Sequence, residues 1–248
     1  MKSDDISIPV RPSVVWLDLD DTLIDFHAIS LIALRLLYNE ASLDRWIPSE
    51  DTWVKDYVAS NTDLWRRYAL GEVTREYLRI ERMSAPLRPY FTGSADELHS
   101  LADSLDPLYL DLMARQKQLM PGAMDLLAGL RERNYRTGIL SNGFEQVQYR
   151  KMDTAGISSY IDITVLSDHI GINKPALGIY RHAIELTGQL NPGRHLLVGD
   201  NLSTDIAGAV NAGWTAVYFD RNSELPVSYN GSYYTINSLT ELLRLLPD

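Results

Sequence analysis

Asp18 and Asp20, followed far along the chain by Ser141, Lys174, Asp200 and Asp205, are the residues whose types and spacing can do chemistry. The first pair closes an apolar run in Val14-Val15-Trp16-Leu17-Asp18-Leu19-Asp20-Asp21-Thr22-Leu23. Side chains at i and i+2 of an extended segment point the same way, so both carboxylates are expected to face one crevice. Carboxylates that close do not readily stay ionised together unless a divalent cation or a shared proton compensates them. The segment Val198-Gly199-Asp200-Asn201-Leu202-Ser203-Thr204-Asp205 adds a further carboxylate, Asp200, directly after a second apolar run. Asp205 also reads as an ordinary first-turn acid favoured by a helix dipole. Oxygen ligands of this kind, with no His or Cys among them, suit Mg2+.

Two further segments bring groups able to hold an anion. Leu140-Ser141-Asn142-Gly143 ends an apolar run with a hydroxyl and turn residues, which can present Oγ and backbone N–H groups to a phosphate or equally form a plain turn. Lys174-Pro175 precedes a helical pattern and lies between two of these strand-end motifs, where a catalytic lysine fits better than a solvated one.

These groups need a scaffold that delivers them to one edge. The runs at 14–19, 136–141, 195–199 and 215–219 read as buried strands, and a further run near 161–166 reads as a strand. Helical patterns fall between them at 122–133, 145–155, 175–187 and 204–212, with Pro near two starts and Gly just past several ends. Strands alternating with helices predict a mostly parallel, doubly wound α/β sheet, which binds ligands at the carboxyl ends of its strands. The stretch 25–118 breaks the pattern. Ile29, Ile32, Ala33, Leu36 and Leu37 form a helical stripe, and Trp53, Tyr57, Leu64, Trp65 and Tyr68 load the next segment with aromatics. It reads as an all-helical insertion between core segments 1–24 and 119–248, its aromatics forming its own core or walling a substrate pocket. Residues 239–246 read as a last helix packed on the core.

Composition removes other classes. The chain has 248 residues, no cysteine, and a net charge of −10 from 23 basic and 33 acidic residues. Without cysteine there are no disulfides, zinc-thiolate sites, Fe–S clusters or thiol catalysis. The acidic balance disfavours nucleic acid polymers and anionic membranes as partners. No run reaches the roughly 18 apolar residues of a membrane span. The opening Met1-Lys2-Ser3-Asp4-Asp5 lacks the apolar stretch of a signal peptide, and the expectation is a cytoplasmic protein. The five histidines at 27, 99, 169, 182 and 195 lack ligand spacing and read as structural or surface groups. Dinucleotide, P-loop and nucleophile-elbow fingerprints are missing from the sequence.

Taken in order, Asp18-Leu19-Asp20-Asp21-Thr22, Ser141, Lys174 and Gly199-Asp200 with Asp205 resemble the four motifs of the haloacid dehalogenase (HAD) superfamily. The resemblance implies a Rossmann-like core with the insertion as a helical C1 cap. It also implies Mg2+-dependent cleavage of small phosphate monoesters. Asp18 would attack phosphorus, and Asp20 would serve as acid and then base. Ser141, Asn142 through its backbone N–H, and Lys174 would hold the phosphoryl oxygens. The metal would sit on Asp18, the Asp20 carbonyl and Asp200, with Asp205 helping. Asp20 favours a phosphatase over a dehalogenase, since halide leaves without a proton. Leu19 and the chain's size exclude P-type ATPases.

A finer resemblance is to bacterial nucleoside 5′-monophosphatases related to pyrimidine nucleotidases. It rests on Leu64-Trp65-xx-Tyr68-xx-Gly71-xx-Thr74, Ser141-Asn142-Gly143-Phe144, Ile170-Gly171-Ile172-Asn173-Lys174-Pro175 and the Asp205-Ile206-xx-Ala209-xx-Ala212-Gly213 segment. It makes nucleoside 5′-monophosphates the leading substrates, with Phe144 and Trp65 as candidate contacts that would add about 1–3 kcal/mol per stacked base. Sugar phosphatase, phosphomutase, dehalogenase and non-enzymatic binding protein are the alternatives. Oligomeric state, base preference and sugar preference are not legible.

Overall fold

The structure, a computed structural model, describes residues 6–247. The acidic opening Met1–Asp5, on which the signal-peptide expectation rests, lies outside the described residues. By contact the chain forms two compact units: one combines the chain up to Phe26 with that from Lys117 onward, and the other is His27–Gln116.

The first unit is built on β1 (Val14–Leu17), all four of whose residues are buried. In chain order there follow α1 (Phe26–Glu40), α2 (Glu50–Ala69), α3 (Arg75–Leu87) and α4 (Ala95–Ala114), which make up the other unit apart from Phe26 at the start of α1. The first unit then resumes with α5 (Ala123–Glu132), β2 (Arg136–Ser141), α6 (Glu145–Thr154), β3 (Ile163–Leu166), α7 (Ser167–Ile170) and α8 (Leu177–Thr187). It ends with β4 (His195–Gly199), α9 (Ala207–Asn211), β5 (Thr215–Phe219), β6 (Val227–Tyr229), β7 (Tyr234–Ile236) and α10 (Glu241–Leu245).

The sheet runs β3-β2-β1-β4-β5-β7-β6. All neighbours are parallel except the antiparallel pair β6 and β7. β1 lies between β2 and β4, with Val14 opposite both Arg136 and His195. That central place explains its unbroken apolar run, since a parallel strand covered on both faces has no side for polar residues. The chain moves outward one way through β2 and β3, then returns past β1 to β4. The order therefore reverses beside β1, where ligands of such sheets bind. This is the mostly parallel, Rossmann-like α/β architecture anticipated above. One face of the sheet carries Trp16, His195 and Trp214 in a stack, with ring centroids 5.8 Å apart for the Trp pair and 4.8 Å for His195 and Trp214.

Several boundaries differ from the sequence expectation, each for a local reason. β1 stops at Leu17 rather than 19, because the chain turns: Leu23 N and Ile24 N both donate to Leu19 O, and Asp21 takes a left-handed φ of 58°. Asp18 and Asp20 both precede that turn, and their carboxylates have different partners. β3 starts at Ile163 after a 3-10 turn over Ser158–Tyr160. α8 starts at Leu177, not Pro175, because Ala176 N closes a turn onto Asn173 O. The helix expected over 204–212 opens as a wide π turn, Leu202–Ile206, before α9. The hairpin β6–β7 was not anticipated; its strands of three residues are too short to show a period around the Asn230-Gly231 turn.

The second unit holds no strand among its described residues. Ser49, Thr74 and Ser94 cap α2, α3 and α4, the last through a full capping box with Glu97. Trp53, Tyr57 and Tyr109 pack in sequence within it, with centroids 5.8 and 5.2 Å apart. That part of the aromatic cluster is thus this unit's own core. Arg82 and Asp106 are buried there as an ion pair, and Arg79 Nε adds a 2.6 Å contact to Asp106. No helix among the described residues is long and apolar enough to cross a membrane.

Candidate active site

The carboxyl ends of β1, β2 and β4 each deliver a functional group. Asp18 follows β1 directly, its N–H donating to Val198 O at 2.9 Å, so its backbone still belongs to the sheet. Ser141 is the last residue of β2, and Asp200 follows the last residue of β4. Asp205 lies within the π turn beyond and is buried. Asp18, Asp200 and Asp205 each offer an oxygen, and the three lie within 4.8 Å of one another.

Lys174 binds this cluster together. Its Nζ lies 2.6 Å from Asp18 Oδ1 and 2.6 Å from Asp205 Oδ1, and donates to Leu140 O at 2.7 Å. The side chain of Asn142 fixes the lysine's backbone, Nδ2 donating to Lys174 O at 3.0 Å and Oδ1 accepting from Lys174 N at 2.8 Å. The turn after β2 thereby sets the position of a residue on a separate loop. Thr22 Oγ1 donates to Asp200 Oδ1 at 3.1 Å, and Asn201 N donates to Asp205 Oδ2 at 3.1 Å.

The electrostatics are those of a site with surplus negative charge. Burial pushes the Asp18 carboxyl well above the usual carboxylate range; Lys174 opposes this, while Asp205 and Asp200 add to it. Burial, then Asp205 and Asp21, raise Asp200 to about 7. Lys174 is raised despite its burial, because Asp18 and Asp205 face it. Three carboxylates around one ammonium leave an imbalance that a bound divalent cation would remove. The donors are hard oxygens without His or Cys, so the residues present fit Mg2+.

Asp20 has partners of its own. Its Oδ2 accepts from Gln148 Nε2 at 2.8 Å, and its Oδ1 pairs with Lys151 Nζ. Gln148 Nε2 also donates to Ser141 Oγ at 2.8 Å, and Gly143 N donates to the same oxygen at 3.2 Å. Gln148 and Lys151 were not singled out in the sequence. Their signal was positional: with Phe144 and Val147 they fall at i, i+3, i+4 and i+7, the buried stripe of α6, where Gln and Lys are out of place.

Of the aromatic residues expected near substrate, Phe144 is buried at the N-terminal end of α6, where its carbonyl accepts from Val147 N and Gln148 N. Trp65 is half-buried on α2 in the helical unit, edge-on to Tyr68 at 5.7 Å. His195 is buried and structural, its Nδ1 accepting from Trp16 Nε1 at 3.1 Å.

Known proteins are similar to this chain. A sequence profile of the haloacid dehalogenase-like hydrolases matches residues 12–213. Pyrimidine 5′-nucleotidase YjjG of Escherichia coli (strain K12) is 30% identical over 232 residues, covering 94% of this chain and 96% of its own. Pyrimidine 5′-nucleotidase PynA of Streptococcus pneumoniae is 28% identical over 203 residues, 82% of this chain and 81% of its own. The crystal structure of the HAD-hydrolase YfnB from Bacillus subtilis bound to magnesium gives a TM-score of 0.82 at 28% identity, covering 96% of this chain and 99% of that one.

Proposed function

The chain belongs to the haloacid dehalogenase-like hydrolase family as a phosphoric monoester hydrolase, and on that premise we propose that it is a Mg2+-dependent nucleoside 5′-monophosphatase working through an aspartyl-phosphate. The observation that carries this reading is Lys174 Nζ set between Asp18 and Asp205, beside Asp200. An anionic nucleophile must meet an anionic phosphate, and the ammonium beside Asp18 lowers the repulsion between them.

An oxygen of Asp18 attacks phosphorus and the ester P–O bond breaks. Asp20, protonated, gives its proton to the departing alkoxide oxygen. The same carboxylate then takes a proton from water as that water attacks phosphorus. The bond from phosphorus to Asp18 breaks, and inorganic phosphate leaves. One difficult step is thereby divided into two. Ser141 Oγ, Asn142 N–H and Lys174 hold the phosphoryl oxygens. Asp18, the Asp20 carbonyl, Asp200 and Asp205 are the residues that would hold Mg2+, which when bound neutralises charge on the transferring group.

We take the helical unit as the cap that carries specificity and keeps water from the intermediate. Trp65, half-buried, is the better candidate for stacking on a base than Phe144, which is buried. The nucleotide preference is supported by the two pyrimidine 5′-nucleotidases among the relatives.

The test is phosphate release from nucleoside monophosphates and sugar phosphates, with Mg2+ and with EDTA, against Asp18→Asn. Metal-dependent turnover concentrated on 5′-monophosphates is expected, with none from the variant. Turnover confined to sugar phosphates would keep the mechanism and discard the substrate. Turnover surviving in the variant would discard the nucleophile.

A further inference from the structure

Gln148 and Lys151 have no part in the scheme above, yet both are buried on α6 and both reach Asp20. A buried ammonium is costly unless paired, and an apolar residue on that stripe would avoid the cost. Lys151 Nζ is paired with Asp20 Oδ1, and the Phe26 ring lies 5.3 Å away. Gln148 spends both amide hydrogens on two functional atoms, Asp20 Oδ2 and Ser141 Oγ, each at 2.8 Å. Room for that amide comes from Gly143, where a Cβ would overlap it.

We infer that Gln148 and Lys151 are positioning residues that tie the acid–base carboxyl of Asp20 to the phosphate-binding hydroxyl of Ser141. This rests on the phosphatase reading and adds to it two residues outside the four motifs. The hydrogen-bond inventory shows how the device works. A hydroxyl oxygen accepts at two lone pairs, and those of Ser141 are taken by Gly143 N and Gln148 Nε2. Its own hydrogen is the capacity left over, so Ser141 is set as a donor toward a phosphoryl oxygen. Each oxygen of Asp20 receives one of these donors, from Lys151 or from Gln148, which fixes the carboxyl plane while leaving other lone pairs to hold or take the travelling proton.

The experiment compares two substrates that share a phosphoryl group but differ in their need for a proton. The alcohol of an alkyl phosphate such as a nucleoside 5′-monophosphate departs as a strongly basic alkoxide, whereas 4-nitrophenyl phosphate releases a stable phenolate unaided. The parameter kcat/KM reports formation of the aspartyl-phosphate for both. In Lys151→Met it is expected to fall about 10- to 100-fold for the alkyl ester, part of the effect general acid catalysis supplies, and less than about threefold for the nitrophenyl ester. Asp20→Asn should show the same selectivity in stronger form. Gln148→Met should show it too, with KM raised for both substrates because Ser141 loses its orientation. Equal losses on both substrates, or no loss on either, would overturn the inference. Should Lys151→Met not fold, Gln148→Met decides alone. A wild-type protein that hydrolyses neither ester would instead overturn the phosphatase reading, which separates the two failures.

Discussion

Gly199 lies so close to Asp205 that a Cβ at position 199 would overlap the Asp205 carboxylate. The last residue of β4 is therefore a glycine because an acid from the following turn is folded back against it. Gly199→Ala should displace Asp205 and with it the ion pair to Lys174. Groups that orient metal ligands typically contribute 10- to 100-fold, so Mg2+ affinity should fall by about that factor. Titration of Mg2+ by calorimetry, alongside an unchanged far-UV spectrum, checks this. Undiminished affinity would remove Asp205 from the metal site.

Asp18 and its neighbours make the proposed metal dependence testable without substrate. Asp200 is held up near 7 by burial and by Asp205 and Asp21, a repulsion that a cation would relieve. Mg2+ should therefore raise the melting temperature of the wild-type protein, by mass action on the folded state. Asp200→Asn should weaken that response and abolish turnover. A wild-type melting temperature indifferent to saturating Mg2+ would argue against a cation among these oxygens.

His195 gives a pH dependence unrelated to catalysis. Its Nδ1 accepts the Trp16 indole hydrogen, so Nε2 carries the proton donated to Gln189 O at 2.8 Å. Burial lowers its pKa below the ordinary histidine value, and a proton on Nδ1 would set donor against donor. The unfolded chain takes up that proton at a pH of about 6.5 and the folded one only lower. The stabilisation is therefore complete above about 6.5 and falls as pH drops toward the depressed native value. Urea unfolding at pH 7.5 and pH 5.5 should show wild type losing stability relative to His195→Asn. A gap between the two that does not narrow toward acid would contradict this.

The helical unit contains its own sensitive pair. Asp106 accepts from Arg82 Nε at 2.8 Å, with both side chains almost wholly buried. Asp106→Ala strands a buried guanidinium and should cost about 3–5 kcal/mol. The double variant Arg82→Met with Asp106→Leu should recover much of that loss, because apolar groups replace both charges. Equilibrium unfolding of the single and double variants measures the difference; additive losses would deny the coupling.

How much of the site could be read in advance depended on how local its cause was. Asp18, Ser141 and Asp200 were legible because a buried strand followed by a polar residue is a short-range pattern. Lys174 was legible only in company, since nothing near it in sequence shows that Asn142 grips its backbone from 32 residues away. Phe144 and Trp65 were chosen by aromatic type and by their place in motifs, and neither reports burial.

The sequence by itself determined which runs are buried strands, which of their ends carry the candidate groups, and that the donors are hard oxygens. Those properties follow from apolar runs, their breaks and residue identity. Only the tertiary structure decided who faces whom. Asp18 meets Lys174 from 156 residues away, and Asp20 meets Gln148 and Lys151 from 128 and 131 residues away. Such pairings are set by how α6 packs after β2. The periodicity of α6 marks a buried stripe, but not the carboxylate waiting beneath it.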